Sequence, residues 1–141
     1  MANDGADFAR SMSIATSGLR AQAGRMRVIS ENIANADSTA PTSAGDPYRR
    51  KVPTFSSALD RSIDAKVVAL GKVRTDQSAF RIKHEPSNPA ADAAGNVKYP
   101  NVNPLVEMTD MREAQRSYEA NLNIISATRR MIQRTLDILK S

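Results

Sequence analysis

The chain has 141 residues, enough for one domain, and with 40% hydrophobic residues, 4% aromatic and no Trp its core is thin for its length. Cys is absent, which excludes a disulfide framework, a thiolate metal site and a thiol nucleophile. The net charge of +5 is dispersed: residues 1–36 hold four bases and three acids, residues 37–103 ten and seven, residues 104–141 six and five, so no segment reads as a basic nucleic-acid arm.

Residues 1–36 read as one long helix. After a polar start at Asn3, Asp4 and Gly5, where Asp4 or Asp7 is a candidate cap, apolar residues return every three or four positions: Phe8, Met12, Ala15, Leu19, Met26, Ile29, Ile33 and Ala36. Gln22 is the one polar residue in that series. Gly18 and Gly24 each cost about 1 kcal/mol relative to Ala in an isolated helix, but they admit close approach of another backbone. Asn32 and Asn35 suit the end of the helix, between Ser30 and Asn35.

From Asp37 to Pro47 the composition turns to Ser, Thr, Ala, Pro and Gly without period, a loop or linker. Tyr48–Phe55 reads as extended and Ser56–Ile63 as a short turn of helix. Val67–Val73 and Ala79–Lys83 read as strands, joined into a hairpin through Thr75, Asp76 and Gln77. Pro86, Pro89 and Pro100 confine the chain to irregular or edge structure, and Ala94, Gly95 and Asn96 offer a turn before Val97–Tyr99. Residues 37–103 thus form a linker and a small β-containing insert.

Residues 104–141 carry the strongest pattern. Met108, Met111, Tyr118, Leu122, Ile125, Ile132, Leu136 and Leu139 form a seam interrupted only by Gln115 and Arg129, and Ile124, Met131 and Ile138 widen it on one flank. Leu105–Leu139 reads as a helix about 50 Å long, and so long a helix needs a partner. The N-terminal helix matches it in an antiparallel pairing that sets Asp4 and Asp7 beside Arg129, Arg130, Arg134 and Lys140, and Arg25 and Arg27 beside Glu107, Asp110 and Glu113. The fold expected is mainly α: long N- and C-terminal helices paired as a coiled coil around a small β-containing middle insert.

Catalytic chemistry has little support. His84 is the only histidine, beside Glu85 at a strand end, and no patterned ligands surround it. Asp92–Asn96 lacks the alternating oxygen donors of a calcium loop, and no Gly-rich phosphate loop follows a strand. The expectation is no enzyme, no cofactor and no metal. Arg49, Arg50 and Lys51, beside Tyr48, form the densest basic cluster and read as surface or intersubunit charges. No signal peptide and no apolar run of membrane-spanning length is expected.

Particular residues then carry a resemblance. Ser17-Gly18-Leu19 with Ala21, Arg25 through Ser30, and above all Asn32-Ile33-Ala34-Asn35 resemble the N-terminal signature of bacterial flagellar rod and hook proteins. Pro47-Tyr48-Arg49-Arg50-Lys51, Ala91-Asp92 with Gly95, Tyr99 through Asn103, Glu107-Met108 and Arg116 through Asn121 resemble the C-type proximal rod (FlgC) family. The resemblance covers almost the whole chain and departs from the family in Ser38–Asp46 and Ala69–Gln77. It implies a structural subunit of the basal-body rod that transmits torque across the periplasm, exported by the flagellar type III apparatus. Its partners would be copies of itself and rod subunits of the B, F and G types, with no nucleic acid and no direct membrane insertion. The subunit interface it implies comprises Met12, Leu19, Met26, Ile29, Asn32, Ile33 and Asn35 on the first helix. On the second it comprises Met108, Met111, Tyr118, Asn121, Leu122, Ile125, Ile132, Leu136 and Leu139. The alternative reading is a cytoplasmic basic helical hairpin that binds nucleic acid or an acidic partner; a membrane-surface helix would need the Trp and the one-sided basic face that are missing here.

Overall fold

The structure is a computed structural model that describes residues 2–141 and their side chains from residue 5 onward. Two helices dominate it, α1 over Ala2–Ala34 and α2 over Pro104–Lys140. The side chain of Asp4, one of the two candidate caps, lies outside the described residues. At the start of α2 the cap is Asn103. Its Oδ1 accepts the Leu105 N–H at 3.1 Å and its carbonyl accepts the Glu107 N–H at 3.1 Å, while Pro104 occupies the first helical position, where no N–H is needed. At the end of α1 the Asn35 side chain donates to the Glu31 carbonyl at 2.9 Å, so that terminus closes by side-chain bonding and not by a left-handed residue.

Six short strands lie between the helices: β1 Lys51–Val52, β2 Phe55–Asp60, β3 Ala65–Leu70, β4 Arg74–Thr75, β5 Arg81–His84 and β6 Asn96–Tyr99. They pair antiparallel as β1 with β4, β2 with β3 and β5 with β6. This corrects two expectations. Ser56–Ile63 is not a turn of helix, because Phe55–Asp60 pairs residue by residue with Ala65–Leu70, from Phe55 opposite Leu70 to Asp60 opposite Ala65. Nor does the 67–73 segment pair with 79–83; each finds a different partner. The reason is turn chemistry at 60–64. The Asp60 carboxylate accepts the Ser62 N–H at 2.9 Å and its hydroxyl at 2.6 Å, and Asp64 takes φ +48°, which reverses the chain there instead of letting a helix start.

The chain divides into two compact units that each draw on both helices. One combines the part of α1 up to Met26, the β2–β3 hairpin at Thr54–Lys72 and α2 from Glu113. Within it Arg10 donates to the Ile63 carbonyl at 2.7 Å and Ser17 Oγ accepts the Val68 N–H at 3.2 Å, fastening the hairpin to α1. The other combines Arg27–Pro53 and Val73–Arg112. Its core is Ala90, Val97 and Tyr99, set by the β5–β6 turn. Gly95 takes φ +79° there, and a Cβ on it would lie 2.9 Å from His84 Cε1.

At the base of the β2–β3 hairpin the Gly71 N–H donates to the Thr54 carbonyl at 2.6 Å and Thr54 Oγ1 donates to the Lys72 carbonyl at 2.7 Å. A Cβ on Gly71 would lie 2.7 Å from Thr54 Oγ1 and 3.2 Å from its carbonyl oxygen, and that backbone is already committed. Gly71→Ala is expected to cost about 1–3 kcal/mol through overpacking and to raise amide exchange across β2 and β3. Gly5→Ala, where nothing lies within 4 Å, should leave stability unchanged or slightly higher; thermal unfolding and hydrogen exchange on both variants check this.

Candidate assembly site

Within the first unit the helices run antiparallel in direct contact. Arg25 lies 3.5 Å from Glu113, and a Cβ on Gly18 would meet Asn121 Nδ2 at 2.8 Å, so only Gly lets the Asn121 amide sit against that turn. Gly24 likewise makes room for Leu70, whose Cδ2 would be 2.8 Å from a Cβ there. The expected pairing of Arg25 with Glu113 is present. Arg27 is exposed, Asp7 pairs with Arg10 of its own helix at 3.6 Å, and Glu107 and Asp110 pair with Arg50.

The inner side of α2 differs from the expected apolar seam. Glu107, Ala114 and Thr128 are its buried residues, and Met111, Tyr118, Asn121, Ile125 and Ile132 are half-buried between and beyond them. Their steps of three and four follow a heptad line on which every other member is small or polar. On α1 the buried residues are Ala15, Ala21, Val28, Ile29 and Asn32. Small residues recur along the contact where the backbones approach closely, as at Gly18 and Asn121, and part of the bulky set is displaced to the flanks. Met108, Leu122, Leu136 and Leu139, read as seam residues, are exposed, as are Ile124, Met131 and Ile138. Met12, Leu19, Met26, Ile33 and Asn35 of α1 are half-buried, whereas Ile29 and Asn32 are covered by their own chain.

Asn32 is the centre of the second unit. Its Oδ1 accepts the Lys51 N–H at 2.9 Å and the Tyr48 hydroxyl at 2.8 Å; its Nδ2 donates to the Lys51 carbonyl at 2.8 Å and to Glu107 Oε2 at 3.1 Å. The amide thus uses both acceptor and both donor positions, and it holds Lys51 as a paired strand would. Glu107, 0% exposed, also takes the Arg50 Nε–H. Arg50 reaches Asp110 at 3.6 Å and Asp76 at 3.8 Å, and its N–H donates to Asn101 Oδ1 at 2.8 Å.

The cluster read as surface or intersubunit charges is half-buried and engaged within its own chain. Arg50 and Lys51 pair with Glu107 and Glu31, and the Arg49 guanidinium lies 4.0 Å from the centre of the Phe80 ring. The signal in the sequence was the pair of segments Asn32–Asn35 and Tyr48–Lys51; nothing in either shows that they meet. His84 is exposed, its Nδ1 3.4 Å from Asn96 Oδ1, and the Asp92 carboxylate accepts the N–H groups of Ala94 and Asn96 at 2.9 Å each.

The two terminal helices are paired through small and polar residues and carry exposed apolar residues on their outer flanks, the make-up of a structural protein and not of a catalytic site. The N-terminal part, residues 12–40, matches the family model described as flagella basal body rod protein, and residues 93–138 match the model for the flagellar basal body rod FlgEFG protein C-terminal region. The flagellar basal-body rod protein FlgC of Agrobacterium fabrum is 52% identical over 128 residues, covering 91% of this chain and 92% of that one. FlgC of Bacillus subtilis is 37% identical, covering 92% and 97%, and FlgC of Salmonella typhimurium 39% identical, covering 89% and 92%. The chain belongs to the FlgC family of flagellar basal-body rod proteins, and its role is that of a structural subunit of the rod.

The hub gives two expected outcomes. Arg50→Ala leaves the Glu107 carboxylate buried without its cation and should cost about 3–5 kcal/mol in denaturant unfolding, whereas Arg50→Met combined with Glu107→Met should recover a large part of that loss. The second outcome concerns alkaline pH. Burial, then the charges of Glu31 and Glu107, push the Tyr48 hydroxyl up to about 12 from 10.0. The folded state holds this proton more tightly than the unfolded chain, so the contribution to stability is full below pH 10 and disappears as pH rises toward 12. Wild type and Tyr48→Phe, unfolded at a series of pH values, should show that extra decline only in the wild type.

Proposed function

We propose that the outer flanks of the helix pair are the surfaces by which this chain is built into the rod. In that position they are buried against copies of itself and rod subunits of the B, F and G types. The observation that carries the reading is the exposed apolar series on α2: Ile124, Met131 and Ile138 at seven-residue steps on one flank, Met108 and Leu122 on the other, with Ile138 73% exposed. A helix pair in water buries such residues only by recruiting further helices. Met12, Leu19, Met26, Ile33, Met111, Tyr118, Ile125 and Ile132, half-buried in the free subunit, would complete those surfaces.

The protein works without catalysis, cofactor or metal, as a passive element of the rod where it crosses the periplasm. It reaches that place as an unfolded chain through the flagellar type III export apparatus. It makes no contact with nucleic acid and does not insert in a membrane; among the described residues no helix is long and apolar enough to cross one. The pairing of Arg50 and Lys51 with carboxylates of their own chain favours this reading over a nucleic-acid-binding hairpin.

Met131→Asp tests the proposal, because this side chain is exposed in the free subunit and its loss should change monomer stability by no more than about 0.5 kcal/mol. Export should be unaffected, incorporation into basal bodies lost, and cells non-motile. Ile125→Asp, on the inner side, should also destabilise the free subunit. Normal incorporation of both Met131→Asp and Ile138→Asp would sink the claim that this flank joins the rod.

A further inference from the structure

Where α1 begins and α2 ends, Phe8, Ala9 and Met12 face Ile132, Leu136 and Leu139 across an open cleft of about 480 Å³. Among the described residues Thr135 supplies the one polar side chain in its walls. Leu136, on the flank that carries Met108 and Leu122, and Leu139, on the inner line of α2, stay 45% and 66% exposed, so the described residues leave the cleft uncovered. The surroundings are cationic. Arg129 lies one heptad before Leu136 and Lys140 one turn after it, with Arg130 and Arg134 further round α2, all of them exposed. Among the described side chains none of these four pairs with a carboxylate, and Asp7, the acid on the facing part of α1, is held by Arg10. Asp137 is the only acidic side chain from Arg129 to Ser141.

We propose that this cleft receives the beginning of an amphipathic helix from a neighbouring subunit, one whose first-turn apolar residues enter the cleft while carboxylates in the next two turns meet Arg129 and Lys140. The proposal rests on the rod reading and names the chemistry of one contact within it. The start of α2 in this chain has that make-up, with Leu105, Val106 and Met108 exposed ahead of Asp110 and Glu113; Glu113, although beside Arg25, stays 67% exposed, and Asp110 lies 3.6 Å from Arg50. A contact between one end of a subunit and the opposite end of the next is heterologous and extends along an axis, as a shaft requires. Complementary charge would orient the approach, and the apolar cleft would hold it.

An anionic membrane surface would also attract these cations. It fits less well, because the apolar surface here is a concavity between two helices and not an exposed helix face.

The test uses the folded full-length subunit and a labelled peptide of residues 103–121, with fluorescence anisotropy as the readout. Saturable binding is expected, falling about tenfold or more as salt is raised from low to high ionic strength. Leu136→Asp should abolish it, and Arg129→Glu with Lys140→Glu, an exposed pair whose change leaves the fold intact by circular dichroism, should weaken it about tenfold. Met131→Asp lies outside the cleft and should bind the peptide as wild type does. Absence of binding, equal binding of a peptide whose acids are changed to Lys, or binding that survives Leu136→Asp overturns the proposal. So does a preference of the subunit for anionic phosphatidylglycerol vesicles over the peptide that the same charge reversals remove. Loss of rod incorporation by Met131→Asp alongside any of these outcomes leaves the rod reading intact. Peptide binding that behaves as expected, with both Met131→Asp and Ile138→Asp normally incorporated, overturns the reading of the outer flank instead.

Discussion

The Asn32 side chain is the interaction on which the second unit depends, because one amide there joins three stretches far apart in the chain. It pairs with both backbone groups of Lys51, takes the Tyr48 hydroxyl and donates to Glu107 near the start of α2. A buried amide with all four positions filled carries no desolvation debt, and any smaller or differently charged side chain would leave several buried groups unpaired at once. Glu107 is tolerated at full burial for the same reason, since Asn32 and Arg50 together satisfy both its oxygens. These bonds hold α1, the Tyr48–Lys51 segment and α2 in one arrangement, and the apolar core of Ala90, Val97 and Tyr99 is too small to do so alone.

In the first unit the helices meet through absence of bulk. Gly18 admits Asn121, Gly24 admits Leu70, and Ala15 and Ala21 are buried. Close contact of this kind alternates small or polar residues with the half-buried Met111, Tyr118, Ile125 and Ile132 along α2, and Met108, Leu122, Ile124, Met131 and Ile138 stand exposed to either side. The thin core and the exposed flanks are then one fact: a subunit with few aromatic residues folds its helices on small side chains and keeps its larger ones outward. That division suits a protein whose full burial is reached in an assembly, in keeping with its membership of the FlgC family of rod proteins.

The middle of the chain shows how turn chemistry overrides local propensity. Ser56 to Leu59 has no decisive preference, but Asp60 and Asp64 reverse the chain between them and bring Val67 and Val68 opposite Ala58 and Ser57. Once that hairpin closes, Arg81–His84 is left to pair with Asn96–Tyr99 across the Gly95 turn. The hairpin carries few buried apolar groups of its own, and its polar bonds to α1 through Arg10 and Ser17 compensate for the marginal stability of a two-stranded ribbon.

The periodicity of the chain by itself determined both terminal helices, the placement of charges pointed to their antiparallel pairing, and the Asn32–Asn35 and Tyr48–Lys51 segments carried a resemblance to the family. These are properties of near neighbours along the chain, legible because a helix repeats every few residues. Only the tertiary structure decided which side of α2 faces inward. A hydrophobic pattern marks every large apolar residue as buried, whereas Gly18 against Asn121 shows that close approach favours small and polar ones. It also decided that Arg50 and Lys51 pair with carboxylates of their own chain, since no spacing along the chain reveals that residues 31, 32 and 107 converge on them. The fold thus turned a basic motif into a set of intramolecular ion pairs, because the free energy of a charge depends on what surrounds it in space and not on its neighbours in sequence.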